Sequence, residues 1–355
     1  MTDYIGDVTI EDEVANLQME RPHVFLLGAG ASKAALPDGD KHGKPLPLMR
    51  DLAKDLSLTE LFPEDLRALA SNDFEAAYSE LFERGDAIVA EIDERIARFF
   101  GWLRLPDSPT LYDYLLLCLR EKDAIFTFNW DPLLVHARIR LAGLGVTRLP
   151  KLFFLHGNVA IGFCVRDQIS GIPNRSGLIG QPCSQCGQTF APSKLLFPVA
   201  RKNYQDDPFT VREWKAARWY LENCFMFTIF GFSAPKTDVE AVGLLKDAWG
   251  DVEERQFEQT EVINRPGSDH DALRATWDPF IHTHHYDIFD SFFDSWSANH
   301  PRRTGEAYWS QYLEAQFITD NPVPREGSDL AGLVEWFRPL LEVEEAQGDT
   351  PSNLR

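Results

Sequence analysis

Asn129, Asp131 and His156 are the side chains in this 355-residue sequence best suited to chemistry on a sugar hydroxyl or a water. An amide offers one donor and one acceptor group, and a carboxylate can hold a hydroxyl or orient a neighbour. A histidine with a near-neutral pKa can take the proton of a hydroxyl or a water as it attacks. Each residue also has a plainer use. Asn129 and Asp131 could cap a helix, and His156 could be a satisfied structural histidine. A third element favours catalysis: Gly28-Ala29-Gly30-Ala31-Ser32 directly follows the apolar run Val24-Phe25-Leu26-Leu27. A strand turning through two glycines into a helix brings backbone N–H groups close to whatever occupies the turn, most often a phosphate. The spacing is neither a full GxGxxG nor a Walker sequence, so alone it could simply join two packed elements.

The elements that must position these groups are legible from hydrophobic runs. Residues 24–27, 124–128, 152–155, 225–230 and 260–264 read as buried strands. Polar or glycine-rich sequence follows them: the Gly28 turn, Asn129-Trp130-Asp131, His156-Gly157-Asn158, Gly231-Phe232-Ser233 and Asn264. Polar groups recurring beyond the carboxyl ends of strands are the pattern of an open α/β sheet with its ligand at that edge. Helices are expected over 49–68 in two pieces divided near Pro63, then over a longer segment capped by Asn72 or Asp73. Further helices are expected after Gly85, over 111–119, from Pro132 through Ile139, over 209–224, and over 237–248 with Thr237 or Asp238 in the first turn. Residues 36–47, rich in Pro and Gly, form a long loop beside the presumed site. Past residue 268, Ile288, Phe289, Phe292, Phe293 and Trp296 make an apolar helical stripe. Trp309, Tyr312 and Leu313 make a short one, and Leu330, Val334, Phe337 and Leu341 line a last helix. Residues 1–22 form a polar arm, and 342–355 an acidic flexible tail.

Residues 158–200 are turn-rich and hold Cys164, Cys183 and Cys186. Cys183-Ser-Gln-Cys186-Gly is a metal knuckle by spacing. Structural zinc takes four ligands, and the partner segment Cys164-Val-Arg-Asp167 supplies a cysteine and a carboxylate. The alternative is a metal-free knuckle held by packing. A redox CxxC would want a helix N-terminus beneath it, which Pro192 and the glycines oppose. Cys118 and Cys224 lie in apolar helical context and read as inert. His282, His284 and His285 read as a solvated run rather than a metal set.

Composition narrows the class. Thirty-five Lys+Arg against 55 Asp+Glu give a net charge of −20, which opposes nucleic acid and anionic membranes as partners. Arg201-Lys202 and Arg302-Arg303 are short and isolated. No run is long enough to cross a bilayer, and no leader-like segment opens the chain. Five cysteines do not suggest a disulfide scaffold, so the expected compartment is the cytoplasm.

Taken together, these motifs resemble the sirtuin (Sir2) superfamily, especially its broad bacterial branch. Gly28-Ala-Gly30-Ala-Ser32 is similar to the first nucleotide-binding motif. Thr127-Phe128-Asn129-Trp130-Asp131 resembles Thr-Gln-Asn-x-Asp, and His156-Gly157 the catalytic His-Gly. Gly231-Phe232-Ser233 is similar to the Gly-(Thr or Tyr)-Ser motif, Ala234-Pro-Lys-Thr-Asp238 to a bacterial-branch ending, and Ile263-Asn264 to the strand whose asparagine approaches the adenosine ribose. The motifs stand in the family's order across roughly 20–290. The resemblance implies a Rossmann-like parallel sheet with helices on both faces, spanning 23–290 and binding NAD+. It further implies a zinc-ribbon-like insertion at 158–200 and a C-terminal helical extension over 291–341. Asn129 and His156 would be catalytic. Gly28, Ala29, Gly30, Ala31, Ser32, Asn129, Asp131, Gly231, Phe232, Ser233, Asp238 and Asn264 would bind the cofactor, and Cys164, Asp167, Cys183 and Cys186 would hold zinc. Three departures weigh against protein deacylation: Phe128 replaces the motif's Gln, Asp167 stands where many members have the fourth Cys, and Leu195–Ala200 only loosely matches the peptide-pairing segment. The expected activity is therefore hydrolysis of NAD+ to ADP-ribose and nicotinamide, in the setting of bacterial defence. Lysine deacylation and a non-catalytic nucleotide sensor are the alternatives. The C-terminal helices would dock on the α/β body, on a second copy or on a regulatory partner, and a toxic enzyme would need such restraint.

Overall fold

The computed structural model describes residues 7–173, 180–199, 203–235, 238–325 and 329–347. Gly177 of the insertion, the Arg201-Lys202 pair, Lys236 and Thr237, the start of the N-terminal arm and the last eight residues of the tail lie outside them. Six parallel strands form the central sheet: β1 His23–Leu27, β2 Ala124–Thr127, β3 Lys151–Phe154, β7 Met226–Phe230, β8 Gln259–Ile263 and β9 Tyr286–Phe289. Their order is β3-β2-β1-β7-β8-β9. Three antiparallel strands, β4 Gly162–Cys164, β5 Ile169–Gly171 and β6 Ala191–Pro192, make a separate small sheet within the insertion.

Alternating side chains divide the core between the two faces of the sheet. Phe25, Leu27 and Ile125 pack with helices Ala29–Ala35, Leu111–Cys118, Leu133–Gly143 and Leu330–Gln347. Val24, Leu26, Phe126, Phe227 and Ile229 pack on the opposite face, under helices Pro208–Asn223 and Val239–Trp249. Burial on both faces explains why β1, β2 and β7 read as continuous apolar runs.

Two sequence expectations are corrected. The stripe from Ile288 to Trp296 is not a helix. Ile288 and Phe289 belong to edge strand β9, paired with Val262 and Ile263, and Phe292–Asp294 is one short 3₁₀ turn. Five apolar residues in nine satisfy helical spacing, yet an apolar run this short also suits a strand. The acidic tail does not begin at 342, because the last helix continues to Gln347. Glu344 on it is fully buried against Arg302 and Arg303. The expected helix at 237–248 runs from Val239 to Trp249, with Asp238 at its N-cap position.

Candidate functional site

The strand order reverses between β1 and β7, so the connections leaving these two strands diverge and open a crevice at their carboxyl ends. Both connections there are glycine turns. Gly28 N donates to Phe230 O at 3.0 Å, and Gly30 N donates to Gly231 O at 2.9 Å. A Cβ on Gly28 would lie 2.5 Å from Gly231 O, and Gly231, at φ +64°, would bring one within 2.3 Å of Ala31 N. Two backbones can cross this closely only where neither carries a side chain. The amides of Gly28, Gly30 and Ala31 are all engaged by backbone carbonyls. The first glycine motif therefore acts mainly by clamping β1 to β7.

A cavity of about 540 Å³ opens above this crossing, a volume ordinary for a small-molecule site. Gly28, Ala29, Ser32, Asn129, Asp131, His156, Gly231, Phe232, Ser233 and Asp238 line it, so most of the residues singled out in the sequence converge here. Gly30 and Ala31 sit in the crossing and do not line the cavity. Asn264 lies at the same sheet edge but also outside the lining. Its side-chain oxygen accepts from Arg265 N at 2.8 Å.

Asn129 is held from below. Its amide nitrogen donates to Gly28 O at 2.8 Å and to Ser32 Oγ at 2.9 Å. A carbonyl only accepts, so the atom facing Gly28 must be nitrogen. Both amide protons are thereby committed, and the carbonyl Oδ1 is the group Asn129 can offer a ligand. Ser32 donates to Asp131 Oδ2 at 2.6 Å, which leaves the Tyr112 hydroxyl to donate to Ser32 Oγ at 2.6 Å. Asp131 also accepts from the N–H of Leu133, the first residue of the next helix, whose N-cap position is Pro132. Burial pushes the Asp131 carboxyl above its ordinary range, and its hydrogen bonds oppose that. Asp131 therefore precedes the N-cap position of the Leu133–Gly143 helix and does not cap it.

His156 follows β3 and is buried, with Nε2 3.0 Å from the Tyr204 hydroxyl and 4.0 Å from Asp238 Oδ1. Its ring lies 4.5 Å from that of Phe128, and Phe128 lies 4.6 Å from Phe232. Where the resembled motif has an amide, this chain has an apolar wall. Asn158 ties the two strand ends together by donating to Asn129 O and Asp131 O at 3.2 and 2.6 Å. Gly157 beside it has φ +76°, and a Cβ there would sit 2.1 Å from Lys194 O. Among the described lining residues Arg50 is the one permanent cation; it pairs with Asp51 at 3.4 Å, and Asp73, Glu75, Asp131 and Asp238 also line the cavity.

Sequence reasoning missed Tyr112, Tyr204 and Arg50, and named Asn158 only as part of the polar sequence after the third strand. A hydroxyl in the apolar run 111–119 is the only signal Tyr112 gives, and Tyr204 gives none.

In the insertion, Cys164, Asp167, Cys183 and Cys186 bring their ligand atoms within 4.8 Å of one another. Cys164 Sγ lies 3.6 Å from Cys186 Sγ, and Asp167 Oδ2 lies 3.4 and 3.1 Å from Cys164 and Cys183. Zinc–sulfur bonds of about 2.3 Å set tetrahedral ligand edges of about 3.7 Å, so this group could hold zinc with a carboxylate as its fourth ligand. Asp167 pushes the Cys186 thiol up to about 12, a clash that a bound cation would relieve. No other group of this kind occurs among the described residues, His282, His284 and His285 included. Cys118 and Cys224 are buried, and burial raises both thiols, Cys224 to about 12. Burial disfavours the reactive thiolate at both, in keeping with their apolar context. No described helix is long and apolar enough to cross a membrane.

No family model and no curated protein matches the sequence. Similar solved structures exist. A Sir2 homologue in complex with NAD is 13% identical, with 94% of this chain and 92% of that chain covered, at a TM-score of 0.38. A Sir2 homologue mutant in complex with ADP-ribose is 14% identical, covering 93% and 96%, at 0.39. A Sir2–peptide–NAD+ complex is 14% identical, covering 83% and 93%, at 0.37. These neighbours are sirtuins.

Proposed function

We propose that this chain binds NAD+ in the cavity at the β1/β7 crevice and hydrolyses it to ADP-ribose and nicotinamide. The observation that carries the reading is the convergence of Asn129 and His156 on one cavity directly above the glycine crossing. The shared order of motifs with the sirtuin superfamily supports it. In this reading the ribose–nicotinamide C–N bond breaks through an oxocarbenium-like state, and nicotinamide leaves as a neutral molecule. Water forms the new C–O bond and gives up one proton. Asn129 Oδ1 accepts a hydrogen bond from that water or from a ribose hydroxyl, and His156 takes the proton. Ser32, Asp131 and Tyr112 hold Asn129 in place, so the acceptor is aimed before substrate arrives. Phe128 and Phe232 keep bulk water from the reacting carbon, and Arg50 supplies positive charge for the pyrophosphate. Residues 23–290 form the catalytic body, zinc stiffens the 158–200 insertion, and the elements beyond 291 serve assembly or restraint, by a second copy or a regulatory partner. Depletion of cytoplasmic NAD+ would suit a defence effector.

A second reading, lysine deacylation, is favoured by one feature. A groove of about 1080 Å³ lies between helices Phe74–Glu83 and Ile88–Gly101 on one side and Lys194–Val199 on the other, and it meets the first cavity at Leu196. The test is chromatography of products after incubating the protein with NAD+, with and without an acetylated peptide, beside His156→Ala and Asn129→Ala. Free ADP-ribose and nicotinamide without peptide, lost in both variants, are expected. O-acetyl-ADP-ribose formed only with peptide would make the chain a deacylase, and bound but unconsumed NAD+ a sensor.

A further inference from the structure

The hydrogen bond between His156 and Tyr204 connects a cavity residue to one outside the cavity. His156 lines the cavity, whereas Tyr204 does not. Tyr204 is buried, and its ring packs edge-on against Trp214 at 5.0 Å. Trp214 in turn donates Nε1–H to Leu155 O, the carbonyl just before His156. The Tyr204 and His156 rings lie nearly parallel, 5.8 Å apart at 26°. Phe128 packs on the imidazole at 4.5 Å, tilted by 52°. The histidine is thus gripped by its ring faces, its preceding carbonyl and one named nitrogen.

We propose that Tyr204 is a positioning residue that fixes the orientation and tautomer of His156 through its hydroxyl on Nε2. The inference rests on the NAD+ reading for its catalytic consequence and on geometry for the rest. A hydrogen bond to one ring nitrogen decides where the imidazole proton resides. Burial, with Asp238 and Glu240 nearby, pushes the phenol's pKa up, so Tyr204 keeps its proton and its oxygen stays a neutral acceptor for Nε2–H. A general base needs a ring nitrogen whose lone pair is not already taken by a donor, so the phenol oxygen accepts from Nε2–H and Nδ1 is the nitrogen that takes the proton. When His156 becomes cationic, Nε2–H still donates to the same oxygen. Asp238, 4.0 Å from Nε2, then faces a positive charge. The phenol therefore supports both charge states without moving a heavy atom.

Tyr204→Phe removes the hydroxyl and keeps the ring packing. Two measurements separate this proposal from the function it rests on. In protein labelled with ¹⁵N-histidine, with the His156 signals assigned by loss in His156→Gln, the variant is expected to change the His156 ring-nitrogen shifts toward a mixed tautomer. In NAD+ turnover, kcat is expected to fall about tenfold while KM stays within about twofold. Unchanged His156 shifts, or an unchanged kcat beside an active wild type, would overturn the proposal. If the wild type does not consume NAD+, the functional reading fails by itself, and the nitrogen shifts still decide whether Tyr204 sets the tautomer.

Discussion

Glu344→Gln is expected to destabilise the protein far more than any neighbouring change of the same charge. Glu344 accepts from Arg302 Nε and Nη2 at 2.7 and 2.6 Å and from Arg303 Nη1 at 2.7 Å, and all three side chains are fully buried. The two guanidiniums spread the clamp across the fold. Arg302 also donates to Leu117 O, Leu119 O and Arg148 O, and Arg303 to Val14 O and Leu340 O. Burial alone would raise the Glu344 carboxyl, but the arginines outweigh it and leave the group below its ordinary range, hence ionised. Removing one partner of a buried ion pair costs about 3–5 kcal/mol, because the remaining charge loses its counter-ion away from water. Glutamine keeps the shape and one acceptor oxygen, so about 3 kcal/mol is expected, a more than hundredfold change in the folding equilibrium. Urea denaturation followed by tryptophan fluorescence and far-UV circular dichroism measures it. With a slope near 3 kcal/mol/M, the midpoint falls by about 1 M. The exposed neighbour Glu345→Gln is the control and should lie within about 0.5 kcal/mol of wild type. Equal midpoints for the two variants would refute the clamp.

Two further outcomes follow from buried charge and from the cysteine group. Glu261 is fully buried, and burial raises its carboxyl to about 7 from 4.5. Between those values the unfolded chain has released this proton and the folded chain has not, so stability falls as pH rises and levels off above 7. At about 1.4 kcal/mol per pKa unit the loss is about 3 kcal/mol. Glu261→Gln, which cannot titrate, should gain on wild type by that amount between pH 4.5 and 7.5 in urea titrations, and a pH-independent difference would contradict it. For the metal group, protein grown with ample zinc should carry about one zinc per chain by elemental analysis, and Cys183→Ser should carry almost none. Cobalt(II) should give the thiolate-to-metal absorption of a tetrahedral sulfur-rich site. No bound zinc and no such band would show that packing alone holds the knuckle.

The α/β character of the chain was legible because strands buried on both faces are written as short apolar runs. Polar groups at their carboxyl ends then marked the edge where Asn129, Asp131 and His156 meet. The knuckle was legible for the same local reason, since CxxC spacing is itself geometry. What the tertiary structure alone decided is how each group is held and where the last strand lies. Ile288 and Phe289 pair with β8 because an open sheet edge offered backbone partners that a helical reading of the run ignores. Tyr112 reaches Ser32 across 80 residues and Tyr204 reaches His156 across 48, and no local pattern encodes contacts of that range. Glu344 sits among other acids in an acidic stretch, where composition predicts a solvated tail. Its partners lie 41 and 42 residues upstream. Only packing that excludes water from all three turned one charge in a polar run into the centre of a buried clamp.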